Sequence, residues 1–148
     1  MRRSISRRRV WAGSAESAEA LRGAPFVSAA LGELGDLDVA LVGIGEITPS
    51  STLVRSGNAF SDEERAALEQ LGAVGDVCLR FYDAQGRPVE TELDSRVVGI
   101  TREQLAAARR KMGVVGGSRK HNAIRAAVTG GLVDVLVTDQ ETAAALMA

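Results

Sequence analysis

Along this chain, short apolar runs alternate with longer stretches in which apolar residues return every three or four positions. The runs Val39 to Val42, Val97 to Ile100, Met112 to Val115 and Val133 to Val137 are each followed at once by glycine or threonine. A continuous apolar run such as Val39 to Val42 is what a strand covered on both faces requires, as in a parallel sheet. Between residues 73 and 83, "AVGDVCLRFYD" predicts one more strand, ended by the turn "DAQGRP" with its Gly86 and Pro88. Val89 to Leu93 is expected to pair back across that turn as a hairpin.

The intervening stretches predict helices with readable starts. Ser61 caps a helix running to Leu71; Glu64 completes a capping box, Leu68 and Leu71 form the apolar stripe, and Gly72 is the stop. Thr101 and Gln104 repeat that arrangement, with Leu105 and Ala108 as the stripe. Ser118 to Val128 predicts a helix with Ile124 and Val128 on one face, and Asp139 caps a closing helix over 140–148. "ESAEALRGAPFVSAALGEL" reads as helical pieces around a break at Pro25, and Glu46 to Ala59, rich in Ser, Thr, Pro and Gly, as a functional loop. Strand and helix in alternation predict the α/β class, an open layered sheet with flanking helices.

Composition narrows this picture. A length of 148 residues fits one domain or a piece of a larger one. Aromatics make up only 3% of the chain, so the core is expected to be Ala, Val, Leu and Ile, which suits helices on a sheet better than an all-β sandwich. The net charge of −1 is unevenly spread, because Arg2, Arg3, Arg7, Arg8 and Arg9 open the chain with no acid among the first ten residues. The remainder is therefore acidic and offers no general basic surface for nucleic acid. Residues 1–13 read as a basic, disordered tail, with a phosphate-binding arm or a targeting segment as alternatives. "VWAGSAESAEA" is too short and polar for a secretory signal, and no run reaches membrane-spanning length. A single cysteine, Cys78, and a single histidine, His121, argue against an internal disulfide and the usual metal sites. No cofactor is expected, and the cysteine usage fits a reducing cytoplasm.

The candidate chemistry lies where the predicted strands end, since open α/β sheets bind ligands at the carboxyl ends of their strands. "VVGGSRK" is the most informative segment: Gly116 and Gly117 permit close approach of the backbone, and the amides from Ser118 onward open a helix. Free amides and the positive helix end attract an anion, and Lys120 in that first turn is unfavourable unless an anion is present. The competing reading is a solvated lysine beside tightly packed glycines. Asp76, between apolar residues, needs a partner; it accepts from sugar hydroxyls on one reading, and lies on an edge or pairs with Arg80 on the other. Arg55 is either a bidentate phosphate ligand or an ordinary surface arginine. His121 reads as a helix-surface residue, Cys78 as a small core residue and Asp139 as a helix cap.

Taken in order, "DVALVGIG", "AVGDVCLRFYDAQGRPV", "VVGI" and "GVVGGSRKHNAIRAAVTGGLVDVLVTDQETAAAL" resemble the sugar-binding domain of the SorC family of transcription regulators, over roughly Glu16 to Ala148. The resemblance implies a fold similar to ribose-5-phosphate isomerase and glucosamine-6-phosphate deaminase, here partial. It also implies a sugar or sugar-phosphate effector, a homo-oligomer, and DNA contact only through a helix-turn-helix that this chain does not show. It makes Lys120 the lysine that reaches the ligand phosphate, Asp76 the acid that contacts sugar hydroxyls, and Arg55 a loop arginine serving the effector. Nothing here resembles the helix-turn-helix or the first half of the effector domain with its phosphate loop. Residues 14–148 are therefore expected to be the C-terminal part of that domain, in a truncated homologue. Two other functions stay open, a sugar-phosphate isomerase or deaminase and a non-sensing oligomerisation fragment that docks through exposed sheet edges.

Overall fold

The computed structural model describes residues 12–48 and 60–148. Helices α1 (Ala15–Gly23) and α2 (Pro25–Glu33) meet at Pro25, which sits at the start of the second, where its missing N–H costs nothing. Strand β1 (Val39–Val42) leads through Gly43 and Ile44 into the short β2 (Gly45–Glu46). Next come α3 (Asp62–Gln70), β3 (Ala73–Val77), β4 (Arg80–Asp83) and a 3-10 turn (Glu92–Arg96). The chain continues as α4 (Arg102–Ala107), β5 (Arg110–Val114), a 3-10 turn (Ser118–Lys120), α5 (His121–Thr129), β6 (Val135–Val137) and α6 (Gln140–Met147).

Both capping boxes form as the sequence implies. The Glu64 amide donates to Ser61 Oγ at 3.2 Å while the Ser61 amide donates to Glu64 Oε2 at 2.7 Å. The Gln104 and Thr101 amides make the same exchange at 3.1 and 3.0 Å. Each such cap contributes about 1 kcal/mol.

The strands form two sheets. One is parallel, in the order β1-β5-β6; the other is antiparallel, in the order β2-β3-β4. Helix α5 lies between them, and its Ala123, Ile124, Ala126 and Ala127 join one core with Ala40 and Val42 of the first sheet and Val77 and Tyr82 of the second. A smaller cluster around Leu68, Phe81, Val89 and Val97 seals α3 and the 3-10 turn onto the far side of the antiparallel sheet. This is the expected α/β layering, but among the described residues only one face of the parallel sheet is covered. Val39 and Leu41 alternate outward from buried Ala40 and Val42, so the apolar run reads as doubly covered while half of it stands exposed.

The single strand expected over 73–83 is instead a hairpin. It breaks at Cys78 and Leu79, whose φ angles of 54° and 62° give the two-residue turn in which both central residues are left-handed. That conformation costs on the order of 1–2 kcal/mol for each non-glycine residue, and the usual Asn-Gly signal is missing. Cys78 is consequently exposed at the turn rather than buried in the core. The expected return strand at 89–93 shrinks to one bridge, Tyr82 with Pro88, and one bond from the Val89 amide to the Phe81 carbonyl, because the Thr91 cap turns the chain into a 3-10 helix.

Candidate functional site

The parallel order β1-β5-β6 brings three chain segments to one end of the sheet: Gly43 and Ile44 after β1, Gly116 and Gly117 after β5, and Thr138 and Asp139 after β6. Pairing of β2 with β3 sets Gly45 opposite Asp76 and so places Asp76 beside the same end. Lys120 Nζ reaches across from the start of α5 and donates to the Ile44 carbonyl at 2.8 Å. Lys120, Asp76, Gly116, Gly117 and Ser118 thus share one neighbourhood. Arg55 lies outside the described residues.

The glycine doublet has two distinct physical tasks. Gly117 adopts φ 103°, which other residues rarely tolerate. Gly116 makes room for Asp139, because a Cβ there would overlap the Asp139 carboxylate. Asp139 Oδ2 accepts from the Gly117 amide at 2.9 Å, and Thr142 Oγ1 accepts from the same amide at 3.1 Å. The Thr142 hydroxyl donates in turn to Asp139 Oδ2 at 3.0 Å. Close packing therefore accounts for Gly116, and the Gly117 amide is spent inside the protein rather than left for an anion. No acceptor is found among the described residues for the amides of Ser118 and Arg119. They lie in the 3-10 turn that replaces the first turn of the expected helix.

Asp139 has more to do than its reading as a helix cap suggested. It accepts from the Thr142 amide at 2.7 Å, closing the start of α6, while it holds the β5–α5 loop. The Thr142 amide, then its hydroxyl, then the Gly117 amide keep the Asp139 carboxyl below the usual carboxylate range. Thr142 is fully buried, and His121 Nε2 lies 3.3 Å from its hydroxyl. His121 is accordingly half-buried against α6, not a plain surface residue. Thr142 escaped the sequence reading altogether. Its signal was present, a Thr three residues after a capping Asp, but nothing local says that the pair reaches another loop.

Asp76 is half-buried, and Oδ2 accepts from the Leu79 amide at 2.9 Å, which steadies the strained turn. Oδ1 lies over Gly45, where any side chain would collide with it. Burial pushes its carboxyl above the usual range, against the opposing pull of the Leu79 amide and of the Lys120 charge. The alternative partner is excluded: Arg80 pairs with Asp94 at 3.2 Å and donates to the Ile100 carbonyl at 3.1 Å. At the rim, Arg119 and Glu46 form an ion pair at 2.7 Å.

The strand ends make an open shelf rather than a closed pocket. A shallow depression of about 360 Å³ lies along Val115, Gly116, Thr138 and Asp139, and the buried Thr138 hydroxyl nearby has no hydrogen-bond partner among the described residues. The more enclosed cavity, also about 360 Å³, is at the opposite ends of the strands, lined by Arg80, Tyr82, Arg102, Lys111 and Leu132. Its cations are already matched, with Arg80 and Arg102 on Asp94 and Lys111 on Asp134 at 3.2 Å. The unspent donors are on the shelf. The described residues contain no cluster of acids, histidine and cysteine able to hold a metal and no helix long and apolar enough to cross a membrane.

Comparison with known proteins yields a consistent set. A model of the sugar-binding domain family matches residues 10–148. The chain is 40% identical over 138 residues to the transcriptional regulator LsrR of Klebsiella pneumoniae, covering 91% of this chain and 42% of the relative. The fold superposes on the full-length sorbitol operon regulator SorC from Klebsiella pneumoniae with a TM-score of 0.83 at 28% identity, covering 94% of this chain and 44% of that one. It also superposes on a domain of a transcriptional regulator from Arthrobacter aurescens TC1, with a TM-score of 0.80 at 25% identity, covering 93% of this chain and 52% of that domain. The chain spans less than half the length of the curated relatives it matches.

Proposed function

The chain belongs to the sugar-binding domain family found in SorC-type transcriptional regulators, and from that premise we propose that its strand-end shelf binds a sugar phosphate as a regulatory effector. The observation that carries this reading is the pair of unspent amides, Ser118 and Arg119, at the turn into α5, with the Lys120 ammonium in the same turn. A phosphate accepts from both amides and takes a second proton of Lys120, which relieves the cost of a cation at the positive end of a helix. Gly116 and Gly117 set the path of that loop, with Asp139 and Thr142 fixing it from beneath. Asp76 faces the same end and accepts from a sugar hydroxyl. Arg55 is a further phosphate ligand in this proposal.

The role is regulatory binding rather than turnover. The relatives that the chain matches are transcriptional regulators, and a fold shared with enzymes does not by itself confer turnover. Any contact with DNA belongs to polypeptide beyond the matched part, and assembly is expected to be homo-oligomeric.

Thermal unfolding in the presence of hexose and pentose phosphates tests the reading. An effector at 100-fold excess over its Kd raises stability by about 2.7 kcal/mol, and Lys120→Met abolishes the increase. No shift with any sugar phosphate at millimolar concentration would refute effector binding by this chain.

A further inference from the structure

We propose that Arg119 is a further side-chain ligand of the phosphate, and that Glu46 is an internal anion from which it must be released; the inference rests on the shelf binding a phosphate. Both cations of the Ser118–Lys120 turn are tied to one short segment, Ile44 to Glu46. Lys120 Nζ donates to the Ile44 carbonyl at 2.8 Å, and Arg119 Nη2 donates to Glu46 Oε1 at 2.7 Å. The carboxylate is the anchored member of that ion pair. Glu46 belongs to β2, where strand pairing sets it opposite Gly75, and its side chain is 19% exposed against 65% for Arg119. The donors of Arg119 are therefore divided. Its backbone amide finds no acceptor among the described residues, while its guanidinium is taken by Glu46.

Glu46 thus holds Arg119 as a ligand anion would. An ion pair this exposed contributes little to stability, because water screens it and two long side chains must be ordered to make it. A phosphate offers the guanidinium more, two parallel charge-assisted bonds in place of one contact. It also meets the Ser118 and Arg119 amides and the Lys120 ammonium in the same turn, so one ligand gathers donors that the protein alone leaves scattered. The exchange has a cost that shows in binding. A ligand that needs a minor state binds more weakly by the fraction of molecules in that state. Glu46 accordingly raises the phosphate concentration at which the shelf fills.

The test is titration of the isotope-labelled chain with inorganic phosphate at constant pH and ionic strength, following the amide resonances of Ser118 and Arg119. Arg119→Gln should weaken phosphate binding roughly tenfold. Arg119→Lys, which keeps the charge but loses the planar fork, should weaken it less. Glu46→Gln should tighten binding about threefold. That gain should vanish in Arg119→Gln/Glu46→Gln, because no guanidinium remains to be released. Unchanged affinity in Arg119→Gln would overturn the proposal. So would a gain from Glu46→Gln of the same size with and without Arg119, which would make Glu46 a plain source of repulsion. Lys120→Met separates this outcome from that of the underlying reading. Phosphate binding that needs Lys120 yet ignores Arg119 refutes the role of Arg119 alone, whereas a parent that binds no phosphate refutes both.

Discussion

Cations and carboxylates come together in two parts of this molecule, and they do so in opposite ways. Around Asp94 every strong group is answered. Arg102 donates to both carboxylate oxygens at 2.8 and 2.9 Å and to the Phe81 and Val89 carbonyls, while Arg80 adds its own contact and the Thr91 amide closes the cap. At the strand ends the accounts stay open: Lys120 has one acceptor, Asp76 has a charge nearby without an ion pair, and two amides have no acceptor among the described residues. Buried polar groups that satisfy one another hold a fold together, whereas a group left short of partners costs stability unless a ligand supplies them. The contrast separates the residues that build the domain from those that wait for something.

Removing Asp94 should produce the largest effect. Asp94→Ala strands two guanidinium groups that are only 12% and 23% exposed, and denaturant unfolding should show a loss of about 3–5 kcal/mol. A loss below 1 kcal/mol would erase the distinction between the two regions. Gly116→Ala is next, because the new methyl meets the Asp139 carboxylate. It should cost about 1–3 kcal/mol through a forced shift of the loop, and sugar-phosphate binding should fall with it.

Thr142→Val keeps the shape of a fully buried side chain but strips the hydroxyl from the Gly117 amide and from Asp139. The expected loss is about 1–2 kcal/mol, with weaker ligand binding as the sign that the loop has loosened. Acid should loosen the same latch. The Asp139 pKa is depressed in the folded chain, so its stabilisation is complete above the ordinary carboxylate range and disappears as pH falls through the native value. Hydrogen exchange at the Gly117 amide, compared at neutral and acid pH, reads this directly.

Lys120→Met should cost less than about 1 kcal/mol while abolishing the ligand-induced shift, the reverse of the Asp94 pattern. Asp76→Asn should go further and stabilise the unliganded chain by about 0.5–1 kcal/mol. The folded state raises the Asp76 pKa and so holds that proton to higher pH than the unfolded chain. The contribution of Asp76 is then most favourable below the ordinary carboxylate range and declines as pH rises through the raised native value. The stability difference between Asp76→Asn and the parent should widen over that interval and then level off. A destabilised Asn variant would move Asp76 into the group that builds the fold.

Much of this organisation was legible along the chain wherever the controlling interaction is local. The Ser61 and Thr101 capping boxes, the break at Pro25, the stop at Gly72 and the apolar runs of β1, β5 and β6 all follow from residues within four positions of one another. Misreadings occurred where a distant partner decides. The 73–83 run bends at Cys78–Leu79 because the Asp76 carboxylate and the pairing of β3 with β4 hold two left-handed residues in place, and that pairing leaves no mark on local propensity. Arg80 sits four residues from Asp76 yet turns to Asp94, fourteen residues on.

Consecutive residues were enough to give the α/β class, the capped helix starts at Ser61, Thr101 and Asp139, the strands β1, β5 and β6, and the Gly-Gly-Ser-Arg-Lys turn, though not the break within 73–83 or the loss of the strand at 89–93. Short-range hydrogen bonds and side-chain periodicity control those features, and both are written in consecutive residues. It took the assembled fold to give the Gly117 amide to Asp139 while those of Ser118 and Arg119 find no acceptor among the described residues, to carry Lys120 to Ile44, and to leave Val39 and Leu41 of the parallel sheet exposed. Those outcomes depend on strand order and on which loops meet in space, and a spacing along the chain carries no record of either.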